Sequence, residues 1–481
     1  MTPESLSAVQ PYGHLPPLIG IATFEEAGKP GLSVDACVRR LKRFHYSLWR
    51  IHQICIAHIA EEPVYELKMA FSFHAHLAAE MDTLFRARVG EMREPPLGLE
   101  KSQHPALDVF FDEILATPSV EERLIGLYGK AFPALREGME CYIAETHPLA
   151  DHPSRRICRH ALLDLEDICA WGAKALAALV GDAQRKESAN WLILLDVCMA
   201  SAGGLDGTGK ISENAEAPIR HYSSKPFVFD GTPRRDGRFP DPYNMGVNAE
   251  VFLYDEEMPP EAKVLMMFYK RLREIDVPEM MSSILHETKD KPWAYYRDIT
   301  RQLWDEARHA MMGEVGFVSE GIDWPRLVMV NSTWSRCLNA QLSPKERHAV
   351  LYFIEQGLMP KTGKRHEWVV SQDARNPLAT TFQDFDWADE VLHARVVRDW
   401  YVADMPDVRE AIDYGDACWA KVLVGWSDWV KQGLTEHRNW WPQLYQEWCA
   451  HRGITSDPKA LAFAETYEGK RADLKTIPPS A

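Results

Sequence analysis

The chain predicts an all-α protein: two helical bundles joined by an irregular, Pro/Gly-rich connector. Three observations lead there. Apolar residues recur at helical spacing over long stretches before residue 180 and again after residue 260. Prolines fall at the starts and ends of those stretches rather than in their middles. Between them, residues 183–260 lose the period and fill with glycine and proline.

Composition narrows the class. At 46% hydrophobic and 26% charged the chain is globular rather than disordered. A net charge of −16 argues against a nucleic-acid surface, which needs clustered Lys and Arg. Nine cysteines are scattered without a C-x-x-C pair, which reads as reduced thiols in a cytoplasmic protein rather than a disulfide frame or zinc site. No signal-peptide pattern opens the chain, and the best apolar run, Trp191 to Leu195, stops at Asp196. No membrane partner is expected.

Residues 1–32, with Pro11, Pro16, Pro17 and Pro30, read as an N-terminal arm. Residues 33–182 read as the first bundle. Ser33 caps a helix from about Val34 to Ala60, with Val38, Leu41, Leu48, Ile51, Cys55 and Ile59 on one face. Pro63 opens a second helix, ended by Pro95-Pro96. A short segment near Pro105–Leu115 and two long helices, about Val120–Glu145 and Pro153–Val180, complete it. Its polar residues His74, His76, Glu80, Glu137, Glu140, His160, Asp164 and Glu166 lack any Glu-x-x-His. They read as solvated or core-satisfied groups, or as the remnant of a duplicated metal bundle.

Residues 183–260 form the connector, with Phe227–Phe229 and Val251–Tyr254 as a small hairpin or the lining of a cleft. Residues 261–402 form the second bundle. Its helix A spans about Glu261–Glu287, bent at Pro278; helix B runs from Asp290 and Pro292 to about Val318. Helix C opens at Ser343-Pro344 with Glu346 as a capping-box partner. A loop containing Pro360, Gly363 and Pro377 leads to helix D, about Asp384–Val402. Residues 403–481 are a helical extension whose Trp419, Trp426, Trp429, Trp440, Trp441 and Trp448 read as packing or as a homodimer face.

The chemistry lies in a repeated word. Asp305-Glu306-Ala307-Arg308-His309-Ala310 returns 84 residues later as Asp389-Glu390-Val391-Leu392-His393-Ala394. Residues three apart on a helix share a face, so one carboxylate and one imidazole reach the same ion. Glu-x-x-His alone is a weak signal, and two surface Glu/His pairs are the bland alternative. Two such helices plus a single Glu from each of two others make a dinuclear iron or manganese site. Glu279 lies 27 residues before Glu306, and Glu355 lies 35 before Glu390, gaps that suit antiparallel helix pairs. The expected ligands are therefore Glu279, Glu306, His309, Glu355, Glu390 and His393, with Glu274 as the rival to Glu279. Mixed carboxylate and imidazole donors favour two iron ions, or manganese or a mixed pair, over magnesium or zinc. Asp305 and Asp389 are expected to accept the second N–H of a ligating imidazole, with Arg308 holding one of them. His286 and His348 are further nitrogen candidates beside a solvent-facing reading. Tyr295, Tyr296 and Tyr352 are redox candidates beside core packing.

Asp305-Glu306-Ala307-Arg308-His309 resembles the D-E-x-R-H signature of the ferritin-like di-iron carboxylate superfamily, over roughly residues 262–400. The second copy departs from it in Leu392, where the signature has Arg. The resemblance implies a ferritin-like four-helix bundle with the six ligands above. It also implies dioxygen activation at a diferrous centre, an external electron donor and oxidation of a small organic substrate. Two other functions stay open: manganese catalase or ferroxidase chemistry by the metals alone, and a non-enzymatic scaffold or partner-binding subunit.

Overall fold

The structure, a computed structural model, describes residues 11–210, 218–359, 363–423 and 426–467. It is all-helical; no strand occurs among the described residues. No described helix is long and apolar enough to cross a membrane. The chain divides into two compact units, Met1–Cys55 with His74–Val228, and Ile56–Phe73 with Phe229–Ala481.

The first unit is built on α1 (Val34–His58), α2 (Tyr65–Met92), α3 (Pro105–Leu115), α4 (Phe132–Glu145), α5 (His152–Leu179) and α6 (Ala189–Ser201). The end of α1, from Ile56, and the first part of α2, to Phe73, are grouped with the second unit. The stretch expected as one helix over 120–145 is broken: Val120–Leu124 leads into a π-helical Ile125–Ala131 before α4 starts. Gly126 and Gly129 lie in that widened turn, where a regular helix gains least from its residues. The apolar run Trp191–Leu195 lies in α6, so helix persists past residue 183 where the sequence had suggested irregular chain.

In the second unit, α7 (Ala249–Tyr254) replaces the expected hairpin piece at 251–254, and Phe227–Phe229 has no regular structure. Asn248 accepts a hydrogen bond from the Val251 N–H, a helix N-cap that the alternating apolar letters concealed. Then come α8 (Pro260–Arg273), α9 (Asp276–Glu287), α10 (Trp293–Ser319), α11 (Thr333–Gln341) and α12 (Pro344–Leu358). Pro278 breaks helix A four residues ahead of itself. A proline ring crowds the carbonyl of residue i−4 and has no N–H to bond it. The Glu274 carbonyl is taken instead by the Val277 N–H at 3.0 Å, and the chain steps from α8 to α9 there. The capping box opening α12 forms as expected: Ser343 and Glu346 bond each other's backbone.

The loop expected before helix D contains a helix of its own, α13 (Lys364–Asp373). Pro377 is not a breaker but the first residue of α14 (Pro377–Tyr401), capped by Asn376. After it come α15 (Val408–Leu423) and α16 (Trp441–Arg452), while the end of the expected helical extension, from residue 468, lies outside the described residues. Trp440, Trp441 and Trp448 pack into the core of this unit beside Leu444, and Trp419 stacks on Trp334. The side chain of Trp426 lies outside the described residues.

Close packing positions the charged interior. Gly313 and Gly316 on α10 face α8, and a Cβ at either would overlap the Leu272 and Phe268 backbone or the Phe268 ring. These two notches bring α8 against α10, one and two turns beyond His309.

Candidate metal centre

Helices α8, α10, α12, α13 and α14 turn polar faces inward at one level. On α14, Asp386, Asp389, Glu390 and His393 follow at spacings of three and four, a single helix face. On α10, Asp305, Glu306 and His309 do the same. Two groups of carboxylates and imidazoles result. Glu274, Glu306, His309 and Glu390 form one; Glu306, Glu355, Glu390 and His393 form the other. Within each group one donor atom per residue lies within 4.8 Å of all the rest. Glu306 and Glu390 belong to both. The two imidazoles lie 5.9 Å apart, centre to centre.

The hydrogen bonding sorts the atoms into outer and inner sets. Outer atoms are held by protein. Glu274 Oε1 is ion-paired with Arg271 Nη2 at 3.0 Å and Glu390 Oε1 with Lys364 Nζ at 2.7 Å, while Glu355 Oε1 accepts a hydrogen bond from Gln302 at 2.8 Å. His309 Nε2 faces Asp389 at 3.1 Å and His393 Nε2 faces Asp305 at 3.4 Å. Inner atoms make no well-formed hydrogen bond: Glu274 Oε2, Glu355 Oε2, Glu390 Oε2, His309 Nδ1 and His393 Nδ1 are all buried, with His309 Nδ1 3.4 Å from Glu274 Oε2 and His393 Nδ1 3.1 Å from Glu306 Oε1. Buried polar atoms that make no hydrogen bond are costly, so five of them in two overlapping groups mark a place that could hold a cation. Four carboxylates balance two divalent ions in charge, and these Nδ1 and Oε2 atoms are donors of the kind such ions take. The residues present thus fit one or two metal ions.

Electrostatics say the same of the metal-free state. Burial works against the charged imidazoles, yet bonds to Asp389, Glu274 and Glu306 hold His309 well above its ordinary range. Burial is likewise outweighed for His393, by Asp305, Glu306 and Glu390. Burial and the neighbouring Glu390 charge push Glu355 well up. Burial disfavours ionised Glu390, but Lys364 and the bonds to Glu355 and His393 hold it well down. Protons occupy the role that metal cations would fill.

The sequence-derived residues divide as follows. Glu306, His309, Glu355, Glu390 and His393 meet. Glu279 does not: the structure corrects it to Glu274. Fully buried, Glu279 is bonded by Lys68, by Arg235 through Nε (3.1 Å) and Nη2 (2.9 Å), and by the Ser335 hydroxyl (2.8 Å). The helix break at Pro278 is the cause, since it separates the register of α9 from that of α8. The two aspartates act crosswise, each on the other helix's imidazole, and Arg308 Nη2 spans Asp305 (2.5 Å) and Asp389 (2.8 Å) together. His286 stacks on Phe229 and His348 is buried between Tyr295 and Tyr401, so neither joins the cluster. Tyr295 and Tyr352 are core residues, while the hydroxyl of half-buried Tyr296 bonds the Thr288 carbonyl at 3.2 Å.

In the first unit, His74 bonds the Tyr128 hydroxyl at 2.7 Å among aromatic rings. None of His76, Glu80, Glu137, Glu140, His160, Asp164 or Glu166 joins a metal-ligating group among the described residues.

Three residues escaped the sequence reading. Lys364 is fully buried, with Nζ 2.9 Å from Asp386 Oδ1 and 3.6 Å from Glu274 Oε1 besides its bond to Glu390. Asp386 bonds Arg271 and lies 3.4 Å from His309 Nδ1. Gln302 was readable as one turn before Glu306 on the same face; Lys364 had no such signal.

A cavity of about 770 Å³ abuts the cluster and is lined in part by Glu274, Glu306, Glu355 and Glu390. Val251 and Tyr254 lie in its wall, the second of the two roles expected for that stretch. No known family model, curated protein or solved structure matches the chain.

Proposed function

We propose that the chain is a ferritin-like di-iron oxygenase or oxidase that uses dioxygen to oxidise a small organic molecule held in the adjoining cavity. The observation that carries this reading is the sharing of Glu306 and Glu390 between two groups in which five inward atoms make no hydrogen bond. Glu274 and His309 would hold one ion, Glu355 and His393 the other, with Glu306 and Glu390 between them. Iron held by these residues would supply the electrons for reducing dioxygen, with an external donor completing the balance. Asp305 and Asp389 fix the imidazole orientation, which leaves each Nδ1 facing inward. Lys364 and Arg271 hold the outer oxygens of Glu390 and Glu274, so these carboxylates keep their inner oxygens free. The cavity favours oxidation of a bound molecule over metal-only chemistry, because iron storage and peroxide disproportionation need no apolar chamber of that volume.

Elemental analysis, with absorption spectra before and after reduction and exposure to air, tests the proposal. Two iron ions per chain and an air-dependent spectral change are expected. Manganese with rapid peroxide loss and no oxygen uptake would instead indicate a catalase. A metal-free protein would leave the scaffold reading.

A further inference from the structure

Resting on that reading, the two ligand groups are not equivalent, and the difference lies in one buried lysine. Lys364 on α13 is wholly buried, and its Nζ faces three carboxylates: Glu390 at 2.7 Å, Asp386 at 2.9 Å and Glu274 at 3.6 Å. Asp386 in turn lies 3.4 Å from His309 Nδ1. The ammonium therefore stands beside the Glu274–His309 position. No lysine or arginine pairs with Glu355 among the described residues; its outer oxygen takes the neutral amide of Gln302 at 2.8 Å.

The protein's own charges differ accordingly. Glu306 and Glu390 belong to both groups. The Glu274–His309 side adds Glu274 and Asp386, matched by Arg271 and Lys364, which pair with them. Glu367, 3.5 Å from Arg271, is matched by its own Lys270. The Glu355–His393 side adds Glu355 and no cation at the ligands. Arg301 and Arg308 hold the aspartates behind the imidazoles, but they are 43% and 28% exposed and water screens them, whereas Lys364 and Arg271 are 0% exposed. A dication entering beside Lys364 meets an unscreened like charge, and one entering beside Glu355 meets an unmatched carboxyl group. A proton held on that carboxyl can be exchanged for a metal ion; a fixed ammonium cannot.

We infer that the two metal positions fill in order, the Glu355–His393 position first and more tightly, with Lys364 as the residue that weakens the Glu274–His309 position. At limiting metal the chain then holds one ion, and the pair is completed only when metal is plentiful.

Anaerobic titration of the metal-free protein with ferrous ion, read by competition with a chromophoric chelator, tests this by binding rather than turnover. Two steps are expected, the second at least about tenfold weaker than the first, the least effect of one unscreened buried charge. Glu274→Gln is expected to lose the weaker step and keep the tighter, and Glu355→Gln to do the opposite. Lys364→Met is expected to tighten the weaker step at least about tenfold, a gain that a merely structural lysine would not give. Two ions of equal affinity, the reverse assignment from the two glutamine variants, or a folded Lys364→Met with its weaker step unmoved would overturn the inference and leave the dinuclear reading standing. Should Lys364→Met fail to fold, the unaltered protein and the two glutamine variants decide. Uptake of a single ion that is lost in Glu355→Gln and kept in Glu274→Gln would support the inference while removing the dinuclear oxygenase reading. A chain that takes up no ferrous ion would overturn both.

Discussion

Two buried charged centres lie on either side of one helix break, and they behave oppositely. Around Glu279 the protein supplies its own cations: Lys68 and Arg235 close on both carboxylate oxygens, with Ser335 completing the shell. Around Glu274, five residues earlier, Arg271 and Lys364 reach only the outer oxygen, and the inner one makes no well-formed hydrogen bond and faces His309 Nδ1 at 3.4 Å. Both glutamates are held down to about 2, with burial opposing and adjacent Arg and Lys charges winning. Burial and a depressed pKa therefore do not distinguish a ligand from a structural ion pair. The distinguishing property is whether the partner set leaves the inward atoms unfilled.

The largest expected effect comes from removing a residue shared by both groups. Glu390→Ala or Glu306→Ala should abolish stoichiometric metal binding and any oxygen-dependent activity, read by elemental analysis of the folded variant. Glu279→Gln should do the reverse: full metal content, but a stability loss of about 3–5 kcal/mol in denaturant melts, because Lys68 and Arg235 lose a buried counter-charge. Metal loss in Glu279→Gln at unchanged stability would erase the contrast between the two centres. Next in size, Glu274→Ala should lower the content from two ions to one, since Glu355 and His393 still serve the other group. Asp389→Asn and Asp305→Asn should keep both ions and weaken affinity by about 10- to 100-fold, measured by chelator competition.

The smallest effect sharpens the comparison through pH. In the metal-free protein His309 and His393 titrate well above the unfolded value of about 6.5. Their contribution to stability is complete below that value and is lost as pH rises through the raised folded pKa. Glu274, lowered from 4.5 to about 2, contributes above 4.5 and loses its share as pH falls toward 2. Metal-free melting temperatures should therefore be highest between about pH 4.5 and 6.5. Added ferrous ion should move that optimum upward, because it binds the deprotonated imidazoles and releases protons. An optimum unmoved by metal would contradict ligation by these two histidines.

Local pattern made much of this legible. The Glu-x-x-His words on α10 and α14, the aspartate before each glutamate and the capping box at Ser343 all depend on neighbours within one or two helical turns. Their faces follow from the helical period, so five members of the cluster and both crosswise aspartates were readable. Of the two readings of 251–254, the hairpin failed because four consecutive apolar residues do not separate a strand from one buried helical turn.

The sequence by itself determined the helical class, the two motif-bearing helices and the chemical type of the cluster, since periodicity and residue chemistry are local properties. Only the tertiary structure decided between Glu274 and Glu279, because the outcome turns on how far Pro278 displaces one helix segment from the next. It alone brought in Lys364 and Asp386, and joined an apolar chamber to the carboxylates. Which buried charge is left without a partner depends on every helix around it, and no single stretch of chain contains that balance.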